Sequence, residues 1–174
     1  MIFSRDPLAN AEPLIRRVYA YVAYRIGDGP DAEDVTSETF ERAVRYRRSF
    51  DRGKGEPIEW LIGIARRVIA GRSGLREIPM AELPETSDPS SFEDRVDSAI
   101  VLRNAVARLD ERDRELIALR YGADLSIREM SELLGVRANT LEVALHRARG
   151  RLASKLDAAT NEDLPDSGSE AVRI

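Results

Sequence analysis

The chain has 174 residues, 43% of them apolar, enough to bury a core in one ordinary domain or in two small helical ones. With no cysteine and one histidine, His146, it excludes a disulfide framework, thiol chemistry, thiolate metal sites and imidazole clusters, so neither a metal nor another cofactor is expected. A net charge of -4 excludes a protein that coats nucleic acid indiscriminately, but the charge is uneven: 14 Lys/Arg face 12 Asp/Glu over 1–78, four acids stand alone over 79–93, 12 bases face 11 acids over 94–157, and 158–174 has an excess of three acids.

The first ten residues include Arg5, Asp6 and Pro7 and contain no long apolar run, so neither a signal peptide nor membrane insertion is expected, and a cytoplasmic location follows. From Pro13 to about Ile26, Leu14, Ile15, Val18, Tyr21, Val22 and Ile26 recur at helical spacing, and Gly27-Asp28-Gly29-Pro30 ends that helix. Asp31 then reads as an N-cap with Asp34 at the box position. Val35, Phe40, Ala43 and Val44 form the stripe of a second helix to about Ser49. Residues 51–57 are a charged, glycine-containing loop. A third helix runs from Ile58 through Trp60, Leu61, Ile64, Ala65, Val68 and Ile69 to Gly71 or Gly74.

Residues 79–91 hold three prolines among Ser, Thr and acids, a composition that neither continues a helix nor buries a core, and they read as a flexible linker. A fourth helix is expected from about Phe92 to Leu109 and a fifth from Glu111 to Tyr121, after Asp110. No strand-like alternation occurs anywhere, so the fold class is all-α: a domain over 1–78, the linker over 79–91, a second domain over 92–157 and a disordered acidic tail over 158–174.

Within the second domain, Ser126-Ile127-Arg128-Glu129 is a capping box that opens a short helix stopped by Gly135. After a tight turn at Val136 the next helix aligns Ala138, Leu141, Leu145, Ala148 and Leu152 on one face and Asn139, Thr140, Val143, His146 and Arg147 on the other, the pattern of a helix-turn-helix with a recognition helix. Two short helices about a glycine turn also build plain helical cores. The basic run Arg147, Arg149, Arg151 and Lys155 suits either a helix C-terminal dipole or phosphate contact.

Four strings, taken in order, resemble the small two-domain sigma factors of bacterial RNA polymerase, the extracytoplasmic-function group of the sigma-70 family. DAEDVTSETFERA (31–43) is similar to that family's polymerase-docking helix, and EWLIGIARRVIA (59–70) to the helix that opens and reads the minus-ten element. LDERDRELIALRY (109–121) and LSIREMSELLGVRANTLEVALHRARGRL (125–152) resemble the domain that reads the minus-thirty-five element. The resemblance implies a region 2-like domain and a region 4-like helix-turn-helix domain that direct promoter-specific initiation. It also implies core RNA polymerase, promoter DNA and an anti-sigma factor as partners.

Carried onto this chain, it implies polymerase docking by Asp34, Ser37, Glu38 and Arg42, and minus-ten contacts from Lys54, Trp60, Arg66, Arg67 and Arg72. Minus-thirty-five contacts fall to Arg137, Asn139, Thr140, Glu142, Val143, His146 and Arg147. From the residues alone, an acidic and apolar helix face suits a partner coiled coil, and cations beside a loop suit an opened strand. Trp60 lies on the apolar stripe, which fits a core role better than base stacking.

The sequence departs from the family at several of these positions. Ser37 replaces a usual glutamine, Gly71, Ser73 and Gly74 interrupt the usual basic continuation after Arg67, and Arg137 replaces an N-cap serine. Thr140-Leu141-Glu142-Val143-Ala144-Leu145 lacks two family cations; Glu142 repels phosphate but can accept from a cytosine amino group, and Val143 can touch a thymine methyl. Two further classes fit parts of the chain: an adaptor that binds polymerase or an anti-sigma factor without reading the minus-thirty-five element, and a stand-alone helix-turn-helix regulator. An enzyme fits least, because no nucleophile and base stand out and Gly53-Lys54-Gly55 is too short for a phosphate loop.

Overall fold

The computed structural model describes residues 6–73 and 93–162, and the side chains of 6–72 and 99–158. The expected linker over 79–91 and the tail beyond 162 lie outside these residues. Among those described the fold is all-α, with no strand.

Helix α1 (Ala11–Ile26) buries Val18, Tyr21 and Val22, the i, i+3, i+4 set, and Gly27 closes it at φ +94° while its N–H donates to the Ala23 carbonyl. Helix α2 (Pro30–Tyr46) starts one residue before the expected cap. Pro30, which has no N–H to orphan, occupies the first turn behind Gly29, so Asp31 sits inside the helix, where its charge favours the dipole rather than capping it. The buried face of α2 also differs from the expected Val35–Phe40–Val44 stripe: Ala32, Val35, Thr36, Thr39 and Ala43 face inward, Phe40 is half-buried and Val44 is exposed. Thr36 and Thr39 tolerate burial because their hydroxyls donate to the Ala32 and Val35 carbonyls at 2.7 Å.

Two short 3₁₀ turns, 47–49 and 52–54, lead to helix α3 (Pro57–Ser73), which buries Ile58, Leu61, Ile62, Ile64, Ala65, Val68 and Ile69. Its start is locked by Glu59, whose carboxylate accepts the Glu56 N–H at 2.6 Å. A β-carbon at Gly55, where φ is +143°, would run into that carboxylate, so the turn needs glycine twice over.

Helix α4 (Glu93–Ala107) is followed by α5 (Glu111–Ile117), capped by the Asp110 side chain accepting the Asp113 N–H at 2.8 Å. The chain then widens into a π turn over Ala118–Gly122, where the Ala123 N–H reaches back five residues to the Ala118 carbonyl. Helix α6 (Ile127–Leu134) has the full reciprocal capping box between Ser126 and Glu129 and a left-handed Gly135 at φ +65°. Helix α7 (Ala138–Glu162) buries Leu141, Leu145 and Ala148 and runs five residues into the segment expected to be an acidic tail, because Ala158–Glu162 contains no proline or glycine to stop it.

Helices α1–α3 pack on one another, and α4–α6 pack around α7. The two groups are not held apart. The π turn and α5 lie along α1, α6 touches α3, and one buried cluster runs from Val18, Val35 and Leu61 to Leu119, Leu125 and Leu141.

Candidate nucleic-acid and partner interface

Three surfaces emerge from the packing. The first is the outward face of α2, where Asp34, Ser37, Glu38, Glu41, Arg42 and Arg45 border an open depression of about 490 Å³. It contains all four expected docking residues. It also contains Arg72, which the sequence assigned to minus-ten DNA: Arg72 Nη2 donates to Glu38 Oε2 at 3.0 Å while Arg42 Nη2 donates to Glu38 Oε1 at 2.6 Å, so one carboxylate ties α2 to the end of α3.

A groove of about 340 Å³ forms the second surface. Its floor and rim include Phe50, Lys54, Gly55, Glu59, Trp60, Gly63 and Arg67. On α3 the positions 60, 63 and 67 share one face by helical spacing, which is why Trp60 and Arg67 converge there with Lys54 from the loop. Trp60 is half-buried with its ring 5.5 Å from Phe50 at a tilt of 55°, so it serves the core and lines the groove at once. Glu59 at the base is held above the usual carboxylate range by burial; the Glu56 N–H opposes this, and the negative charges of Glu129 and Glu132 add to it.

Arg66 departs from this set. One position before Arg67, it projects roughly 100° around the helix, and its Nε pairs with Glu115 Oε1 at 2.9 Å. Glu115 was absent from every sequence-derived site, because nothing in its local pattern distinguishes it from the other acids of α5. In the fold it also accepts the Tyr21 hydroxyl at 3.1 Å and pairs with Arg25 Nε at 2.5 Å. That last contact is charge pairing rather than an aligned hydrogen bond, since the Arg25 Nε–H meets no acceptor. Burial first, and then the Glu115 charge, raise the Tyr21 phenol above its ordinary pKa.

The third surface is the start of α7. Arg137, Asn139, Thr140, Glu142, Val143, His146 and Arg147 are all exposed, opposite the buried Leu141–Leu145–Ala148 edge. Arg151 is different in kind from Arg147 and Arg149. Its guanidinium grips Asp113 of α5 through two contacts, Nη2 to Oδ1 at 2.7 Å and Nε to Oδ2, and so braces the helix bundle.

A family model of sigma-70 region 2 matches residues 11–72, and one of sigma-70 region 4 matches residues 99–152. The sigma factor SigD of Mycobacterium tuberculosis, an ECF RNA polymerase sigma factor, is 30% identical over 173 residues, spanning 89% of this chain and 77% of SigD. The chain belongs to the ECF RNA polymerase sigma factors. Among relatives, BldN of Streptomyces coelicolor is 33% identical over 147 residues that cover 80% of this sigma factor and 56% of BldN, so the chain spans little more than half of that relative. The fold is shared with the sigma factor RpoE of Bartonella quintana, solved in complex with the anti-sigma factor NepR: TM-score 0.63, 20% identity, 83% of this chain and 92% of that one. In this sigma factor the region 2 match takes in α1–α3 and ends on Arg72, the partner of Glu38, while the region 4 match takes in α5, the π turn, α6 and α7 as far as Leu152.

Proposed function

We propose that this sigma factor binds core RNA polymerase and directs promoter-specific initiation, a regulatory role with no catalysis of its own. The observation that carries it is the occurrence, in order on one chain, of both sigma regions with three separate surfaces that bear polar and charged side chains: the α2 face, the α3 groove and the start of α7.

In this reading Asp34, Ser37, Glu38 and Arg42 meet the polymerase, with Arg72 positioning Glu38 rather than touching DNA. Lys54 and Arg67 hold the backbone of an opened strand beside Trp60, and Arg66 joins them once it is free of Glu115. Asn139, Thr140, Glu142, Val143 and His146 read base edges, while Arg137 and Arg147 hold phosphates. Residues 1–78 and 92–157 then act as the two functional domains, and the chain works in the cytoplasm. No described helix is long and apolar enough to cross a membrane. An anti-sigma factor is the expected inhibitor, as for the solved relative RpoE with NepR.

Run-off transcription with purified core polymerase on a promoter library tests the reading. Promoter-dependent transcripts that require the added chain are expected. Failure to bind core polymerase, or transcripts with no common promoter sequence, would overturn it.

A further inference from the structure

One residue of α6 holds the turn into α7. The carbonyl of Ser131, half-buried, accepts the N–H of Gly135 and, at 3.2 Å, the N–H of Val136, while its hydroxyl donates to the Val136 carbonyl at 2.5 Å. The two backbone bonds are the ordinary close of a helix on a left-handed glycine. The hydroxyl bond is an addition to that close. It reaches past the end of α6 and takes the carbonyl through which the chain enters α7.

A residue whose N–H and C=O are both tied to one neighbour has little freedom left in φ and ψ, because the peptide planes on either side of it are fixed. Val136 is such a residue, and it also packs against the core. On the far side of the turn the Arg137 carbonyl accepts the Leu141 N–H at 3.0 Å, which makes Arg137 the N-cap of α7. Only the two dihedrals of Arg137 therefore separate what α6 holds from what α7 holds. A Ser, Thr, Asn or Asp at this cap would lock them with a side-chain oxygen on the N–H two or three residues on. A guanidinium has no acceptor and cannot. Helices α5 and α6 carry side-chain caps, from Asp110 and Ser126. For α7, among the described residues, the Ser131 hydroxyl is the one side-chain group bonded to the turn over 135–137.

The tilt of α7 decides what its exposed start can reach. The far part of the helix is anchored where Arg151 grips Asp113. A tilt of about 5° about that anchor displaces Asn139, roughly 18 Å along the axis, by about 1.5 Å. Contacts to base edges need placement within about 0.5 Å, whereas long arginine side chains follow a phosphate over such a shift.

We propose that Ser131 is a positioning residue for the recognition helix: its hydroxyl on the Val136 carbonyl does what the cap at Arg137 cannot, and fixes the tilt at which Asn139, Thr140, Glu142 and Val143 meet DNA. The base-reading role of those four residues rests on the function proposed above; the clasp on the start of α7 does not.

Ser131→Ala removes the hydroxyl and leaves α6 with the best helix former. In the full chain, amide exchange at Val136 and Leu141 should quicken roughly threefold or more at unchanged helicity. Binding is then measured to a duplex that the wild-type chain selects from a random pool and to a scrambled duplex of the same composition. The ratio of the two affinities should fall roughly tenfold, about the discrimination of one base contact, while the slope of log K against log salt stays the same because no phosphate contact is lost. Arg137→Ser gives α7 a capping oxygen. It weakens binding to both duplexes by removing a cation, so ratios rather than affinities are compared, and in its background Ser131→Ala should change exchange and ratio by less than about twofold.

Unchanged exchange in Ser131→Ala overturns the clasp. Faster exchange at an unchanged ratio overturns the positioning role, as does a ratio lost together with the salt slope. A full Ser131→Ala effect in the Arg137→Ser background shows that the hydroxyl does not stand in for the missing cap. A wild-type chain that selects no sequence removes the proposed function, and the exchange measurement still decides the clasp.

Discussion

Glu38 on α2 and Arg72 near the end of α3, 34 positions apart, are joined at 3.0 Å, and the same carboxylate holds Arg42 at 2.6 Å. Shared between two cations, the partly exposed Glu38 is held in one orientation on the lining of the α2 depression. The arginines also cancel much of its charge, so the surface offers a docking partner directed hydrogen bonds rather than a diffuse acidic field.

Glu38→Ala tests that arrangement. Both ion pairs are partly solvated and screened, so the loss of stability should stay under about 1 kcal/mol. Affinity for core polymerase should fall about fivefold or more, the consequence of losing one oriented interface group. Arg72→Ala should weaken docking less, and should leave binding of a single-stranded oligo-dT unchanged if Arg72 serves Glu38 rather than DNA. Biolayer interferometry against core polymerase, with thermal melting as the control, separates the two; equal polymerase affinity for wild type and Glu38→Ala would count against the assignment.

Asp113 and Arg151 set a pH dependence. The Arg151 guanidinium holds the nearly buried Asp113 carboxyl below the usual aspartate range, against a smaller opposing effect of burial. The unfolded chain therefore takes up this proton at higher pH than the folded one. The stabilisation is complete above about pH 4, the ordinary aspartate value, and disappears as pH falls toward the lowered folded value. Urea midpoints from pH 7 to pH 3 should fall more steeply for wild type than for Asp113→Asn. Arg151→Ala should lower the urea midpoint at neutral pH, because it strands a carboxylate that the fold has largely taken out of water.

Features carried by neighbouring residues were legible in the sequence. The Ser126–Glu129 box and Gly135 depend on contacts three to five residues long, and both sit where the pattern put them. The start of α2 was misplaced by two residues, the cap falling on Gly29 instead of Asp31, because Pro30 and Asp31 each mark a helix start, and proline, lacking the N–H, takes the first helical position. Thr36 and Thr39 were overlooked as core residues in favour of Phe40 and Val44, since hydroxyl groups signal burial only once their bonds to the preceding turn are seen. The division of Arg66, Arg67 and Arg72 among three different surroundings, and the cluster of Tyr21, Arg25 and Arg66 about Glu115, depend on how separate helices meet. No spacing rule along one segment contains that information.

Glu59 should respond to pH in the opposite sense to Asp113. Burial raises its carboxyl above the usual range, so the folded chain binds this proton more tightly than the unfolded one. Its contribution is present below the ordinary glutamate value of about 4.3 and is lost as pH rises through the raised folded value. Glu59→Gln keeps an oxygen for the Glu56 N–H and removes the charge, so at pH 7 it should melt no lower than wild type. Glu59→Ala loses the cap and should cost about 1 kcal/mol. A Gln variant less stable than the Ala variant would contradict the capping role.

Glu142, Val143 and Arg147 share an exposed surface at the start of α7, and under the proposed function they would act on duplex DNA by different physics. Arg147→Ala should weaken binding to all duplexes alike and lower the slope of log K against log salt by about 0.9, the release of one phosphate's counterions. Glu142→Gln removes repulsion from the backbone and should tighten binding generally. If Glu142 accepts from a cytosine amino group in the chosen promoter, the same change should relax preference at that one base pair, worth about 1–3 kcal/mol. Val143→Ala should reduce preference only where a thymine methyl faces it. Binding-site selection for the three variants at two salt concentrations resolves these effects. If Glu142→Gln tightens every sequence equally, Glu142 acts as a restraint on non-specific binding, and promoter choice falls to Asn139, Val143 and His146.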